Sequence, residues 1–192
     1  MTIATARGRP RPFAPLCDDS AMPTIRIGSE RLDLMPMPAA VADALPEDRA
    51  TAMRLLDATV PESWPQADLV DVLPMQAAAS PDAERFGVWL IIERQTNTVV
   101  GDIGFMGPPE GGSVEIGFSV IPDRRRRGYA TDAARAIVDW ALREPSIRRV
   151  TARSDVDNEA SSRVLRAVGF SRVGESDRVI RWRIDRTRLP RG

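Results

Sequence analysis

The stretch from Ser113 to Ser154 constrains this chain more than any other part of it. A strand-like run, Ser113 to Ile121, leads through Arg124-Arg125-Arg126-Arg127-Gly128-Tyr129-Ala130 into a helix-like run, Thr131 to Arg143, and Ile147 to Ser154 reads as the next strand. Two strands joined by one helix are expected to lie side by side and parallel, with a right-handed crossover. The helix is read from Ala134, Ile137, Val138, Ala141 and Leu142 at helical spacing, with Pro145 just beyond its end. The turn that opens it is a natural anion site. The first N–H groups of a helix have no partner within it, and the helix dipole favours negative charge there. Gly128 permits a positive φ and Ala130 keeps the approach open. The arginines add charge that suits phosphates. A solvated arginine-rich turn is the plain alternative.

Composition narrows the chemistry. The chain has 192 residues and zero formal net charge, so nothing global points to nucleic acid or a membrane surface. A nucleic-acid binder would spread basic residues over a face with aromatics between them; here the cluster is confined to one loop. All 27 basic residues are arginine, which excludes lysine chemistry and a P-loop. There is no histidine, the usual general base and commonest metal ligand. The single cysteine, Cys17, excludes an internal disulfide and a cysteine-rich zinc site, and no metal is expected. No apolar run reaches the roughly 18 residues of a membrane helix, and a cytoplasmic location is expected.

Along the chain, residues 1–21 carry Arg7, Arg9, Arg11 and three prolines without periodicity, and read as a flexible tail, with Met22 as an alternative natural start. Residues 22–192 read as a single domain. Short strands are expected in 24–35, a helix broken at Pro46 in 38–59, and a short helix in 66–73. Val88 to Glu93 and Val99 to Phe105 flank Gln95-Thr96-Asn97-Thr98 as an antiparallel hairpin, and Gly107 to Gly112 turns the chain into the third strand. Asn158 to Val168 reads as a second amphipathic helix capped by Gly169, followed by strands near 170–173 and 178–184. The result is an α+β, mixed-sheet domain.

The loop Arg125-x-x-Gly128-x-Ala130 after Val120-Ile121-Pro122, together with Asn158-x-x-Ser161 leading to Gly169-Phe170, resembles the GNAT acyl-CoA N-acyltransferases. Glu115-Ile116-Gly117-Phe118 is most similar to the ribosomal-protein-alanine (RimJ/RimL-like) branch. The resemblance covers approximately residues 24–185. It implies a central, mostly antiparallel sheet with a splayed parallel strand pair, flanked by helices. It also implies acetyl-CoA as co-substrate and a primary amine as acceptor, either a protein N-terminus or a small molecule, attacked directly in a ternary complex. An acyl-CoA-binding sensor without catalysis is the alternative. A homodimer is compatible with either.

By the resemblance, the amides of Arg125, Arg126, Arg127, Gly128, Tyr129, Ala130 and Thr131 cradle the pyrophosphate of coenzyme A. Backbone at Phe118, Ser119 and Val120 pairs with the pantetheine arm beside a bulge, and Asn158 bonds a pantetheine amide. Strand alternation puts Glu115 with Gly117 and Ser119 on one face, a carboxylate beside small residues where a substrate fits. Glu115 is therefore the expected general base and part of the acceptor site. A strand glutamate bound to a nearby arginine is its bland alternative. Where the family often carries an acidic tyrosine, this chain has Leu165, and Ser161 is the substitute proton donor, with helix capping as the other reading of Asn158 and Ser161. Trp64 and Asp68 fall where the family shapes its acceptor site; Trp64 reads either as a floor for the substrate or as a core anchor.

Overall fold

The structure, a computed structural model, describes residues 25–186. The expected tail, the start at Met22 and Cys17 lie outside the described residues. The strands are β1 (Ile27–Gly28), β2 (Leu32–Pro36), β3 (Val88–Glu93), β4 (Thr98–Phe105), β5 (Ser113–Val120), β6 (Arg149–Asp155), β7 (Ser171–Ser176) and β8 (Val179–Asp185). The helices are α1 (Ala39–Ala44), α2 (Arg49–Leu56), α3 (Ala67–Val70), α4 (Leu73–Ala77), α5 (Pro81–Glu84), α6 (Tyr129–Arg143) and α7 (Glu159–Val168). The strands form one sheet in the order β1-β2-β3-β4-β5-β6-β8-β7. Its pairs are antiparallel except β5 with β6, which α6 joins as the sequence predicts.

The expected helix at 66–73 is instead two short ones. Pro74 stands in the first turn of α4, where its fixed φ and missing N–H fit a new helix start but not the middle of an old one. The helix α5 begins at Pro81 in the same way. Helices this short carry too few residues for a periodic signal. The helix α6 begins two residues earlier than predicted, at Tyr129, because Gly128 at φ 85° takes the left-handed cap position.

Apolar side chains from the two sheet faces form two cores. On one face Val114, Ile116, Ile103 and Trp89 meet Ala134, Ile137, Val138 and Leu142 of α6 and Leu165 of α7. On the other, Leu90, Ile92, Val99 and Ile121 meet Val41, Leu56, Leu69, Leu73 and Trp64 from the α1–α4 side. Alternation along β5 holds: Val114, Ile116 and Val120 are buried, whereas Glu115, Gly117 and Ser119 are half-buried on the opposite face.

The parallel pairing of β5 and β6 runs from Ser113↔Arg149 to Ile116↔Ala152 and stops there. Beyond it, β5 stays on β4 as far as Gly101↔Val120, and β6 stays on β8 as far as Asp155↔Val179. The two strands part because each follows its antiparallel neighbour. The resemblance implied a bulge in the earlier strand; the structure corrects this. The register of β5 against β4 is unbroken, and the shifts lie at Ile91/Ile92 in the β3–β4 pair and at Arg172/Gly174 in the β7–β8 pair.

Close approach of β4 and β5 depends on Gly101. A Cβ there would stand 2.2 Å from the Ser119 carbonyl oxygen and 3.0 Å from Val120 Cα, both backbone atoms that cannot swing away. Gly101→Ala is expected to destabilise the fold by about 2 kcal/mol, read as a lower urea midpoint with an unchanged slope.

Candidate active site

Where β5 and β6 part, a cleft of about 360 Å³ opens between Ile116, Gly117 and Phe118 on one side and Arg153, Ser154 and Asp155 on the other. Asp68 of α3 lies at one wall, and Asn158 and Ser161 of α7 at another. Which backbone groups of β5 face this opening follows from the ladder. The Glu115 carbonyl accepts from Met106 N–H, and Ile121 N–H donates to the Val100 carbonyl, so odd-numbered residues turn their backbone groups towards β4. Even-numbered residues turn theirs towards β6, as Val114 does in accepting from the Thr151 hydroxyl at 3.1 Å. Past the last shared pair, Phe118 and Val120 therefore present backbone polar groups to the cleft. Arg125 closes the far end by donating its Nε–H to the Val120 carbonyl at 2.8 Å.

The arginine turn lies at that end. A 3₁₀ turn, Pro122–Arg124, is followed by Arg126 at φ 59° and Gly128 at φ 85°. This succession leaves the amides from Arg126 to Thr131 without an acceptor among the described residues; the first amide of the segment to find one is Asp132, on the Gly128 carbonyl at 3.0 Å. Such a run of N–H groups without acceptors at a helix start suits an anion.

The four arginines divide. Arg124 donates to Glu93 Oε2 at 2.8 Å, and Arg125 ties Val120 to Gln66. Both brace the loop. Arg127 is exposed, donates to the Asp123 carbonyl at 3.2 Å and also acts on the Tyr129 hydroxyl, and the Arg126 side chain contacts no polar partner among the described residues. Tyr129 is not in the open loop but buried as the first residue of α6, its hydroxyl donating to Glu93. The Thr96 hydroxyl, followed by that of Tyr129, holds the Glu93 carboxyl below its ordinary range, and Glu93 in turn raises the Tyr129 phenol. A fifth arginine, Arg31, comes from before β2: it donates to the Arg127 carbonyl at 3.0 Å, pairs with Asp132 and lies over the Tyr129 ring. Nothing local in the sequence marks Arg31 as part of this turn.

The remaining site residues fall as follows. Asn158 caps α7, its Oδ1 accepting from Ser161 N–H at 3.0 Å. That leaves its amide N–H groups for the cleft, so capping and ligand contact coexist. Ser161 reaches the cleft, whereas Leu165 is fully buried in the core. Glu115 Oε1 is held by Arg153 Nε at 2.7 Å, and Arg153 lines the cleft. The Arg153 side chain is 63% exposed, so this is a surface pair of small energetic weight. Of the two readings for Trp64, its placement is that of a core anchor: it is fully buried, and its carbonyl accepts from Arg49 at 2.6 Å.

Sequence reasoning passed over Asp102. It stands in the middle of β4, directly across from Ser119, and its Oδ2 accepts from both Trp64 Nε1 and Ser119 Oγ at 2.8 Å. Gln66 continues the chain, donating to Ser119 Oγ at 2.9 Å and accepting from Arg125 at 3.0 Å. Burial, only partly offset by the two donors, pushes the Asp102 carboxyl up to about 6, and the Asp68 charge adds to this. The available signal was a lone carboxylate within Val99-Val100-Gly101-Asp102-Ile103-Gly104-Phe105, since aspartate is rarely buried without purpose.

A raised carboxyl favours the protonated folded state. Its contribution to stability is complete below the unfolded value near 3.8 and is lost as pH rises through about 6. The displacement is worth about 3 kcal/mol. Asp102→Asn, which keeps an oxygen for Trp64 and Ser119, should therefore gain stability relative to the parent between about pH 4 and about pH 8. Urea unfolding of both proteins at the two pH values checks this; a constant difference contradicts it.

A split parallel pair with an amide-lined turn at its end is the arrangement that the GNAT resemblance implies, and the comparisons agree. A family profile described as an acetyltransferase (GNAT) domain matches residues 31–171. An uncharacterized N-acetyltransferase of Bacillus subtilis, YjdG, is 30% identical over 150 residues, covering 76% of this chain and 89% of the relative. The fold is shared with the ribosomal L7/L12 alpha-N-protein acetyltransferase RimL, solved with coenzyme A, at a TM-score of 0.61 and 20% identity over 84% of this chain and 98% of that one. It is also shared with the microcin C7 self-immunity acetyltransferase MccE, solved with acetyl-CoA and AMP, at a TM-score of 0.59 and 13% identity over 82% and 93%. The chain belongs to the GNAT acetyltransferase family, and with it to the acetyl-CoA-dependent acyltransferases.

Proposed function

We propose that this protein transfers the acetyl group of acetyl-CoA to a primary amine by direct attack in a ternary complex. The observation that carries this is the cleft left by β5 and β6, with the free amides of Arg126 to Thr131 at its end. In this reading the pyrophosphate rests on those amides, with Arg126 and Arg127 adding charge. The pantetheine arm enters between the strands and pairs with the exposed backbone of Phe118 and with the Val120 N–H, the Val120 carbonyl being held by Arg125, and the Asn158 amide donates to one of its carbonyls. An amide N–H at this edge polarises the thioester carbonyl, the position at which negative charge grows during attack. Ser161 faces the cleft from the first turn of α7 and gives a proton to the departing sulfur.

The acceptor enters over Gly117 from the side of Asp68, with Glu115 behind the cleft-lining Arg153. Carboxylates there suit a cationic amine, and Glu115 with Arg153 forms a polar rim for it. RimL is described as acting on the alpha-amine of a ribosomal protein. A protein N-terminus or a small-molecule amine is accordingly the acceptor class proposed here. Thiol release from acetyl-CoA, screened against primary amines and N-terminal peptides, tests the reading. Tight acetyl-CoA binding without turnover on any acceptor would favour a sensor.

Gly128 and Arg124 separate backbone approach from charge. A side chain at Gly128 faces a φ of +85° and the Arg31 guanidinium 3.1 Å away. Gly128→Val should therefore remove acetyl-CoA binding in calorimetry. Arg124→Ala, which loses a brace on Glu93, should weaken it by about tenfold. Equal losses would contradict the cradle.

A further inference from the structure

We propose that Asp102 is the proton acceptor of the transfer, taking a proton from the acceptor ammonium before the amine attacks the thioester. The inference rests on the acetyltransferase reading above and adds a residue to it. Asp102 lies on the face of the sheet that carries Glu115, Gly117 and Ser119, one strand in from the cleft, beneath the segment bearing Trp64, Gln66 and Asp68. One carboxylate oxygen, Oδ2, is fixed by two neutral donors, the Trp64 indole and the Ser119 hydroxyl. The other, Oδ1, has no hydrogen-bond partner among the described residues, and Asp102 as a residue is only partly buried. A carboxylate fixed through one oxygen keeps the other available for a proton.

The groups packed around it leave it poised for this. Leu90, opposite on β3, is apolar, and Ser119 on β5 is neutral. From α3, Asp68 repels its charge. The nearest cation along the hydrogen-bond chain, Arg125, reaches Gln66 rather than Asp102. Together these hold the carboxyl near 6, so that at neutral pH it is ionised but still a useful base. Glu115 is instead engaged by Arg153.

The step balances. One proton passes from the ammonium to Oδ1, directly or across one water. The nitrogen lone pair attacks the thioester carbon, the C–S bond breaks, the Ser161 hydroxyl protonates the departing thiolate, and the second nitrogen proton restores that hydroxyl. Asp102 then releases its proton to solvent.

Two readouts on the full chain test this. The first is kcat/KM against pH with acetyl-CoA and the best amine from the screen. The second needs no acceptor: the NMR resonance of the Trp64 indole N–H, assigned with Trp64→Phe, reports the charge on Asp102. Both should titrate with a midpoint near 6. Asp102→Asn should abolish both titrations and lower kcat/KM at neutral pH by about a hundredfold, with acetyl-CoA binding retained. Ser119→Ala removes a donor to the ionised form and should move both midpoints up by about one pH unit. Glu115→Gln should raise KM and keep the limb. A limb that persists in Asp102→Asn, or a Trp64 resonance that stays flat between about pH 5 and about pH 7, overturns the assignment alone. Wild-type protein that binds acetyl-CoA but acetylates no amine overturns the transfer reading, and this role with it.

Discussion

The short parallel contact between β5 and β6 is the constraint on which the rest depends. It lasts from Ser113 to Ile116 on one strand and from Arg149 to Ala152 on the other. A longer zipper would close the cleft, and none at all would separate the two halves of the sheet. The contact can be this short because both strands have continuous antiparallel partners on their outer sides. Antiparallel pairing is the more stable per residue, so the twist of each half is settled by β4 and β8, and the opening in the middle follows without an inserted residue. The helix α6 then fastens the two halves from below through Ala134, Ile137 and Val138, buried against both.

Much of this was legible from the sequence because it rests on local periodicity. The β3–β4 hairpin, the run from β5 through α6 to β6, and the capped helix α7 are signalled by alternation, helical spacing and Gly169, and tertiary packing had no cause to override them. The α3–α5 region was not legible, since its helices are shorter than one period of an amphipathic pattern and are set by Pro74, Pro81 and by packing on Leu73 and Trp64. The same divide runs through the site. The anion turn is a contiguous motif and was visible. Its bracing by Glu93 and Arg31, and the linkage of Asp102 with Trp64 and Gln66, join residues far apart in the chain, and no spacing rule encodes them.

The polar groups around the site divide between holding the fold and facing a ligand. Arg124 and Arg125 look like ligand charge in the sequence but are tied inward, to Glu93 and to the end of β5. The outward charge is carried by Arg126 and Arg127. Asp102 shows the reverse. An apolar residue would pack more cheaply in the middle of β4, and an ionised carboxylate there costs stability at neutral pH. A site that lowers stability and is nonetheless furnished with two dedicated donors is better explained by chemistry than by folding.

One strand, β5, keeps these roles apart by geometry alone. Its even-numbered side chains go to the α6 core, and its even-numbered backbone groups go to the cleft. Its odd-numbered side chains, Glu115, Gly117 and Ser119, form the opposite face, and its odd-numbered backbone groups hold β4. In the proposed function, carrier and acceptor would thus use different atoms of the same residues, and a side-chain change on one face would leave the backbone edge intact. The two are still joined at one point. Arg125, on the Val120 carbonyl at the end of the edge, also holds Gln66, and Gln66 reaches Asp102 through Ser119. In the proposed reaction, an anion that drew Arg125 towards the turn would act on the orientation of Ser119, and through it on Asp102 Oδ2.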